Sequence, residues 1–239
     1  MDFREFEEIM QGYLKEIGTK LDTSEQEAFY NYMNLLLKWN ENINLTAITD
    51  EKEIILKHFI DSLTINKYME GKETVMDIGT GAGFPGIPLK IVNKEIKFIL
   101  VDSLNKRINF LEEVKGQLNL ENMELIHARV EDLAHDEEYR EKADAIVSRA
   151  VSNLSTLAEY MLPFVKTGGL CICMKGSNIS EEIESSKKAL NVLGGKIEKI
   201  EKIILPNSDM ERNIIVIKKV NSTPNKYPRK AGIPAKKPL

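Results

Sequence analysis

Seven short apolar runs, most of them separated by a helical stretch, constrain this chain more than any other feature. From about residue 73 they read TVMDI, KFILVD, MELIHA, DAIVSRA, GGLCICMK, IEKIEKIILP and RNIIVIKKV. Between them, segments such as SLNKRINFLEEVKGQL and SNLSTLAEYMLPFV repeat apolar residues at helical spacing. A strand that reaches the next strand through a helix returns parallel by a right-handed crossover. The pattern therefore predicts an α/β fold with a doubly wound, seven-stranded, mostly parallel sheet. The last two runs have no helix between them and are expected to pair antiparallel at one edge. A chain of 239 residues has room for one such domain with an extension.

Residues 1–70 are expected to form a helical N-terminal extension, residues 71–220 the α/β domain and residues 221–239 a basic, Pro-rich C-terminal tail. FREFEEIMQGYLKEIG carries Phe3, Phe6, Ile9, Met10, Tyr13, Leu14 and Ile17 in the pattern of an amphipathic helix. A second helix is expected from a Ser24 cap, with Glu27 closing a capping box, to about Trp39. A third would follow a Thr49 or Asp50 cap and run through EIILKHFIDSLTINKYM, with NENINLTAIT as the loop before it. The tail carries Pro224, Pro228, Pro234 and Pro238 and is expected to be extended rather than packed.

Charge and cysteine content narrow the function classes. The formal net charge is −4, yet all 37 acidic residues precede Arg212 and eight of the 33 Lys and Arg lie at or after it. A mostly acidic body with a basic tail suits a polyanionic partner met by one surface, or a solvated terminus. Cys171 and Cys173, two apart on one apolar run, are expected in the core of a cytoplasmic protein. With three histidines and no CxxC, no metal site is expected. No apolar run reaches membrane-helix length, and MDFREFEEIM lacks a signal-peptide pattern.

The stretch VMDIGTGAGFPGIPL sets four glycines, Gly79, Gly81, Gly83 and Gly86, directly after the first apolar run. Gly81-Ala-Gly83-Phe-Pro-Gly86 fits the dinucleotide fingerprint GxGxxG. Asp77-x-Gly79-x-Gly81-x-Gly83 instead resembles the first motif of class I S-adenosylmethionine (AdoMet)-dependent methyltransferases. Asp77 would oppose a pyrophosphate at the loop but suit the cationic sulfonium and ammonium of AdoMet, by about 1–2 kcal/mol. Asp102, ending KFILVD, can accept hydrogen bonds from both ribose hydroxyls of either ligand, or simply cap the next helix. Val130 and Glu131 follow the third run, where an adenine edge would lie.

These segments together, with IVSRAV, WNENINLTAIT, LKHFIDSL and the terminal YPRKAGIPAKKPL, resemble the bacterial GidB/RsmG family, ribosomal RNA small subunit guanine-N7 methyltransferase G. The resemblance covers essentially the whole chain. It implies a Rossmann-like class I AdoMet-dependent methyltransferase fold, AdoMet as cofactor, and methylation of guanine N7 in 16S ribosomal RNA. On matching positions it implies cofactor contacts at Gly79 and Phe84, adenine contacts at Val130 and Glu131, and Arg149 of SRAV at the same pocket. Asp77, Gly81 and Asp102 complete the expected cofactor set.

Guanine N7 carries a lone pair and needs no base before attack, so no catalytic acid–base residue is assigned and alignment is expected to suffice. Lys106, Arg107, Lys175, Arg212, Arg229 and Lys230 are candidates for RNA phosphates, together with Lys226, Lys236 and Lys237 of the tail. Tyr227 is a candidate for stacking on a base. The substrate would be 16S ribosomal RNA or the small subunit, the enzyme a monomer. An NAD(P)-dependent oxidoreductase and a noncatalytic RNA-binding or assembly factor are the alternatives.

Overall fold

The computed structural model describes residues 1–149 and 152–239. Ala150 and Val151 of the IVSRAV segment lie outside the described residues. Seven strands form: β1 (Thr74–Ile78), β2 (Lys97–Asp102), β3 (Met123–His127), β4 (Ala143–Arg149), β5 (Val165–Lys175), β6 (Gly195–Ile204) and β7 (Glu211–Lys219). They make one sheet in the order β3-β2-β1-β4-β5-β7-β6. The first five are mutually parallel, and β7 runs antiparallel to both β5 and β6. The helix-free link from β6 to β7 forces the reversal, and β7 fills the place between β5 and the edge strand β6.

Strand residues alternate between two apolar layers, as a sheet covered on both faces requires. Val75, Phe98, Leu100, Val147 and Ile172 face one layer, and Met76, Ile99, Val101, Ile146, Cys171 and Cys173 the other. The two cysteines are therefore core residues, both free and buried.

The first layer is covered by α1 (Phe3–Glu16) and α2 (Thr23–Asn40), then α3 (Glu51–Ile54), α4 (Asp61–Leu63), α5 (Gly86–Val92) and α6 (Asn105–Gln117). Phe6, Met10 and Leu14 of α1 are buried there, at roughly 2 kcal/mol for each fully buried large apolar side chain. The N-terminal helices thus share a core with the sheet. The second layer holds α7 (Val130–Leu133), α8 (Leu154–Met161) and α9 (Ser180–Leu193), with a last short turn, α10 (Ile233–Lys236), against α8. No described helix is long and apolar enough to cross a membrane.

Two local expectations change. The capping box of α2 uses Asp22 and Glu25 rather than Ser24 and Glu27: Asp22 Oδ1 accepts the Glu25 N–H at 2.8 Å, and Glu25 Oε2 accepts the Asp22 N–H at 2.9 Å. The Ser24 hydroxyl is spent donating to Asp22. The third helix is capped by Asp50, and between α3 and α4 the backbone passes through a π-helical segment, Ile55–Ile60.

The tail is packed, against the expectation. An irregular Pro-rich chain satisfies only some of its own carbonyls, and the body meets others with side chains. Arg140 donates to the carbonyls of Thr223 and Tyr227, and the Thr156 hydroxyl donates to that of Pro234. Arg229 forms a fork on the buried Glu159, with contacts of 2.7 and 3.0 Å. The buried Lys219 ammonium is shared among Leu162 O, Thr223 and Glu141.

Candidate functional site

The loop between β1 and α5 bends over the end of β2. Gly79 and Thr80 both donate their N–H to the Val101 carbonyl, at 2.9 and 3.2 Å. Gly79 and Gly81 adopt φ of 66° and 62°, left-handed values that favour glycine. A Cβ on Gly81 would meet no described atom within 4 Å, so that side of the backbone lies open to a ligand.

Asp77 sits beneath this loop rather than on the cavity wall. Its Oδ2 accepts from the Thr80 hydroxyl at 2.7 Å and the Gly86 N–H at 2.9 Å, which ties loop to helix. Its Oδ1 is buried with no hydrogen-bond partner among the described residues. Burial pushes the Asp77 carboxyl up to about 7, against the pull of those two hydrogen bonds.

Above the loop opens a cavity of about 520 Å³, at the C-terminal ends of the parallel strands where open α/β sheets bind ligands. Gly79, Gly81, Phe84, Asp102, Val130, Glu131 and Arg149 all border it; of the expected cofactor set only Asp77 does not. Asp102 Oδ2 accepts from the Gly81 N–H at 2.9 Å and from Arg107 at 3.1 Å, and Oδ1 accepts from the Leu104 N–H at 2.9 Å. Glu131 accepts the Gly232 N–H at 2.9 Å, so the tail buttresses the cavity wall.

The opposite wall is built by the N-terminal helices. Arg149 donates to Asp61 at 3.1 Å, to the Lys57 carbonyl at 3.0 Å and to His58 Nδ1 at 2.9 Å. Arg212 Nε lies 3.2 Å from Asp61 on its other side. The His58 ring stacks on Phe84 with centroids 4.3 Å apart and planes 16° apart, and the Arg149 guanidinium lies over the same Phe84 ring. Burial, with the Arg149 charge adding to it, pushes the His58 imidazole down to about 3, so it is neutral. Burial also lowers the Arg149 pKa, while Asp61 holds its charge. The π-helical segment sets His58 on this wall, and Asp61 begins the helix that follows it.

The RNA candidates divide. Lys106 and Lys230 are exposed, as are Lys226, Lys236 and Lys237. Arg107 borders the cavity and pairs with Asp102. Lys175 is held by Glu182 and the Ser152 carbonyl, Arg212 by Asp61 and Arg229 by Glu159. Tyr227 packs in the second core layer with little exposure, so its ring is not presented for stacking on a base. Thr46, Asp61, Arg129 and Tyr160 belong to the site and were not singled out from sequence. Two of them lie inside NENINLTAIT and LKHFIDSL, whose match to the family was the available signal.

The sheet order and the crevice above β1, β2 and β4 define a class I AdoMet-dependent methyltransferase fold. Two solved structures share it: NSun6 from Pyrococcus horikoshii with SFG, with a TM-score of 0.56 at 16% identity over 68% of this chain and 52% of that one, and M. jannaschii TYW2 in complex with AdoMet, with 0.51 at 17% over 67% and 77%. The chain belongs to the GidB family, rRNA small subunit methyltransferase G, whose model matches residues 25–215. The ribosomal RNA small subunit methyltransferase G of Clostridium tetani is 50% identical over 97% of this chain and 98% of its own length. That of Acetivibrio thermocellus is 55% identical over 93% and 92%.

Proposed function

We propose that this chain transfers a methyl group from AdoMet to N7 of a guanine in 16S ribosomal RNA, guanine 527 by the family resemblance. One observation carries the choice of atom: the basic groups on the cavity wall are already engaged. His58 is neutral with both ring nitrogens hydrogen-bonded, Asp102 accepts three donors, and Glu131 holds the tail. A site with no base to spare suits a nucleophile that brings its own lone pair, as guanine N7 does.

The residues also fit the cofactor. Two carboxylates, Asp102 and Glu131, border the cavity, and the backbone at Gly81 is open. That set suits a cationic nucleoside and disfavours a pyrophosphate, which speaks against the oxidoreductase alternative. AdoMet, when bound, supplies a methyl group on a sulfonium sulfur with a neutral thioether as leaving group. Asp102 would hold its ribose, Val130 and Glu131 would border its adenine, and Phe84 and Arg149 would close the methionine end. The chain's remaining work is to align the base and keep water out.

RNA would be held by exposed Lys106, Lys230 and the other tail lysines, with an affinity that falls as salt rises. The target base must leave its stack to enter the cavity. Calorimetric titration with AdoMet and, separately, NADH tests the cofactor, and mass spectrometry of nucleosides from treated small-subunit RNA tests the product. AdoMet binding and 7-methylguanosine are expected. Binding of NADH alone, or a methyl group on another atom, would overturn the reading. An assembly factor without activity would bind RNA and leave it unmethylated.

A further inference from the structure

Thr46 stands on the cavity wall opposite the nucleoside side, and its hydroxyl has been left with one thing to offer. The Arg149 guanidinium can only donate, so His58 Nδ1, 2.9 Å from it, must accept. That fixes the neutral tautomer with its proton on Nε2, which donates to Thr46 Oγ1 at 2.8 Å. The Ile48 N–H donates to the same oxygen at 3.1 Å. Both lone pairs of Oγ1 are then occupied, and among the described residues its own proton finds no acceptor. An ordinary threonine hydroxyl accepts or donates as the ligand demands. This one can only donate.

Its position is fixed as firmly as its polarity. The Asn40 side chain at the end of α2 accepts the N–H groups of Leu45 and Thr46 at 2.7 and 2.9 Å, and returns a hydrogen bond to the Thr46 carbonyl at 3.0 Å. A whole amide is thus committed to holding this one residue at the cavity.

We propose that Thr46 reads the target base, donating its hydroxyl proton to the carbonyl oxygen beside the methylated nitrogen and so selecting guanine over adenine. The inference rests on the guanine-N7 reading above. On the edge that carries N7, guanine presents O6, an acceptor, where adenine presents an amino donor. A donor-only hydroxyl matches the first and meets the second donor to donor.

The test compares methyl-transfer rates on two ribosomal RNA substrates, one with the natural target guanosine and one with 2-aminopurine riboside there, which keeps N7 and lacks the C6 oxygen. The wild-type product is first identified by mass spectrometry; absence of 7-methylguanosine sinks the guanine-N7 reading and this one with it. With that product present, Thr46→Val is expected to lose about tenfold in rate on guanosine, the value of one well-made hydrogen bond. Thr46→Ser should recover most of the loss, and AdoMet affinity by calorimetry should be unchanged in both. On 2-aminopurine the wild type and Thr46→Val should react equally slowly. An unchanged rate for Thr46→Val on guanosine, or the same fractional loss on both substrates, would refute base reading and leave Thr46 a structural residue. Should Thr46→Val not fold, equal wild-type rates on the two substrates would refute it as well.

Discussion

Replacing Asp77 by asparagine should remove a pH-dependent weakness from under the glycine loop. Asp77 is fully buried, and its carboxyl is raised from an ordinary 3.8 to about 7. The folded chain therefore holds this proton where the unfolded chain has released it, so stability falls as pH rises from about 4 through 7. Between pH 5 and pH 8 the folded state loses roughly two of the three pH units separating those values, or about 3 kcal/mol. Asparagine keeps an acceptor for the Thr80 hydroxyl and the Gly86 N–H and puts an amide where Oδ1 now lacks a donor. Urea unfolding of wild type and Asp77→Asn at pH 5 and pH 8 measures the effect, because subtraction cancels every other titrating group. The advantage of the variant should grow by about 3 kcal/mol across that interval. A difference that stays constant with pH would show that Asp77 is ionised in the folded state throughout, and the assignment of its burial cost would be wrong.

Three other outcomes are expected. Gly83→Ala should not fold stably: φ is 97°, and the new Cβ would lie 2.5 Å from Ile87 Cγ1 and 2.9 Å from Leu111 Cδ2; a cooperative thermal transition near that of the wild type would contradict this. Arg229→Ala strands the buried carboxylate of Glu159 and should cost about 3 kcal/mol, with the tail released to limited proteolysis well before the body; intact tails under protease would count against the clasp. His58, held down to about 3 by burial and by Arg149, should show no titration of its ring protons by nuclear magnetic resonance from pH 8 to pH 5. An inflection near 6.5 would mean that the ring is wet and the fixed tautomer does not hold.

The sheet was legible in the chain because its central strands are short apolar runs buried on both faces, and the helix between two runs dictates a parallel return. The nucleoside side of the site was legible for a related reason. In such a sheet a ligand sits beyond the strand ends, so Gly79, Gly81 and Asp102 follow or close their strands within a few residues. The motifs are local, and local sequence can carry them. Asp77 was legible as a motif residue, but whether it faces the ligand or lies under the loop depends on Thr80 and Gly86 folding back over it.

Other parts of the molecule were set by contacts between distant segments. His58 lies 91 positions from Arg149, and Asp61 lies 151 from Arg212. Nothing in LKHFIDSL says that a π-helical turn will bring those groups to the end of β4. The tail reads as solvated because its prolines interrupt regular structure and its lysines favour water, yet its packing depends on Arg140, Glu159 and Thr156, which look ordinary in sequence. Sequence determined which strands and which glycine loop would form, since apolar period and backbone freedom are properties of neighbouring residues. Tertiary structure decided which charges are spent on one another, and so which groups, the Thr46 hydroxyl among them, remain for a ligand.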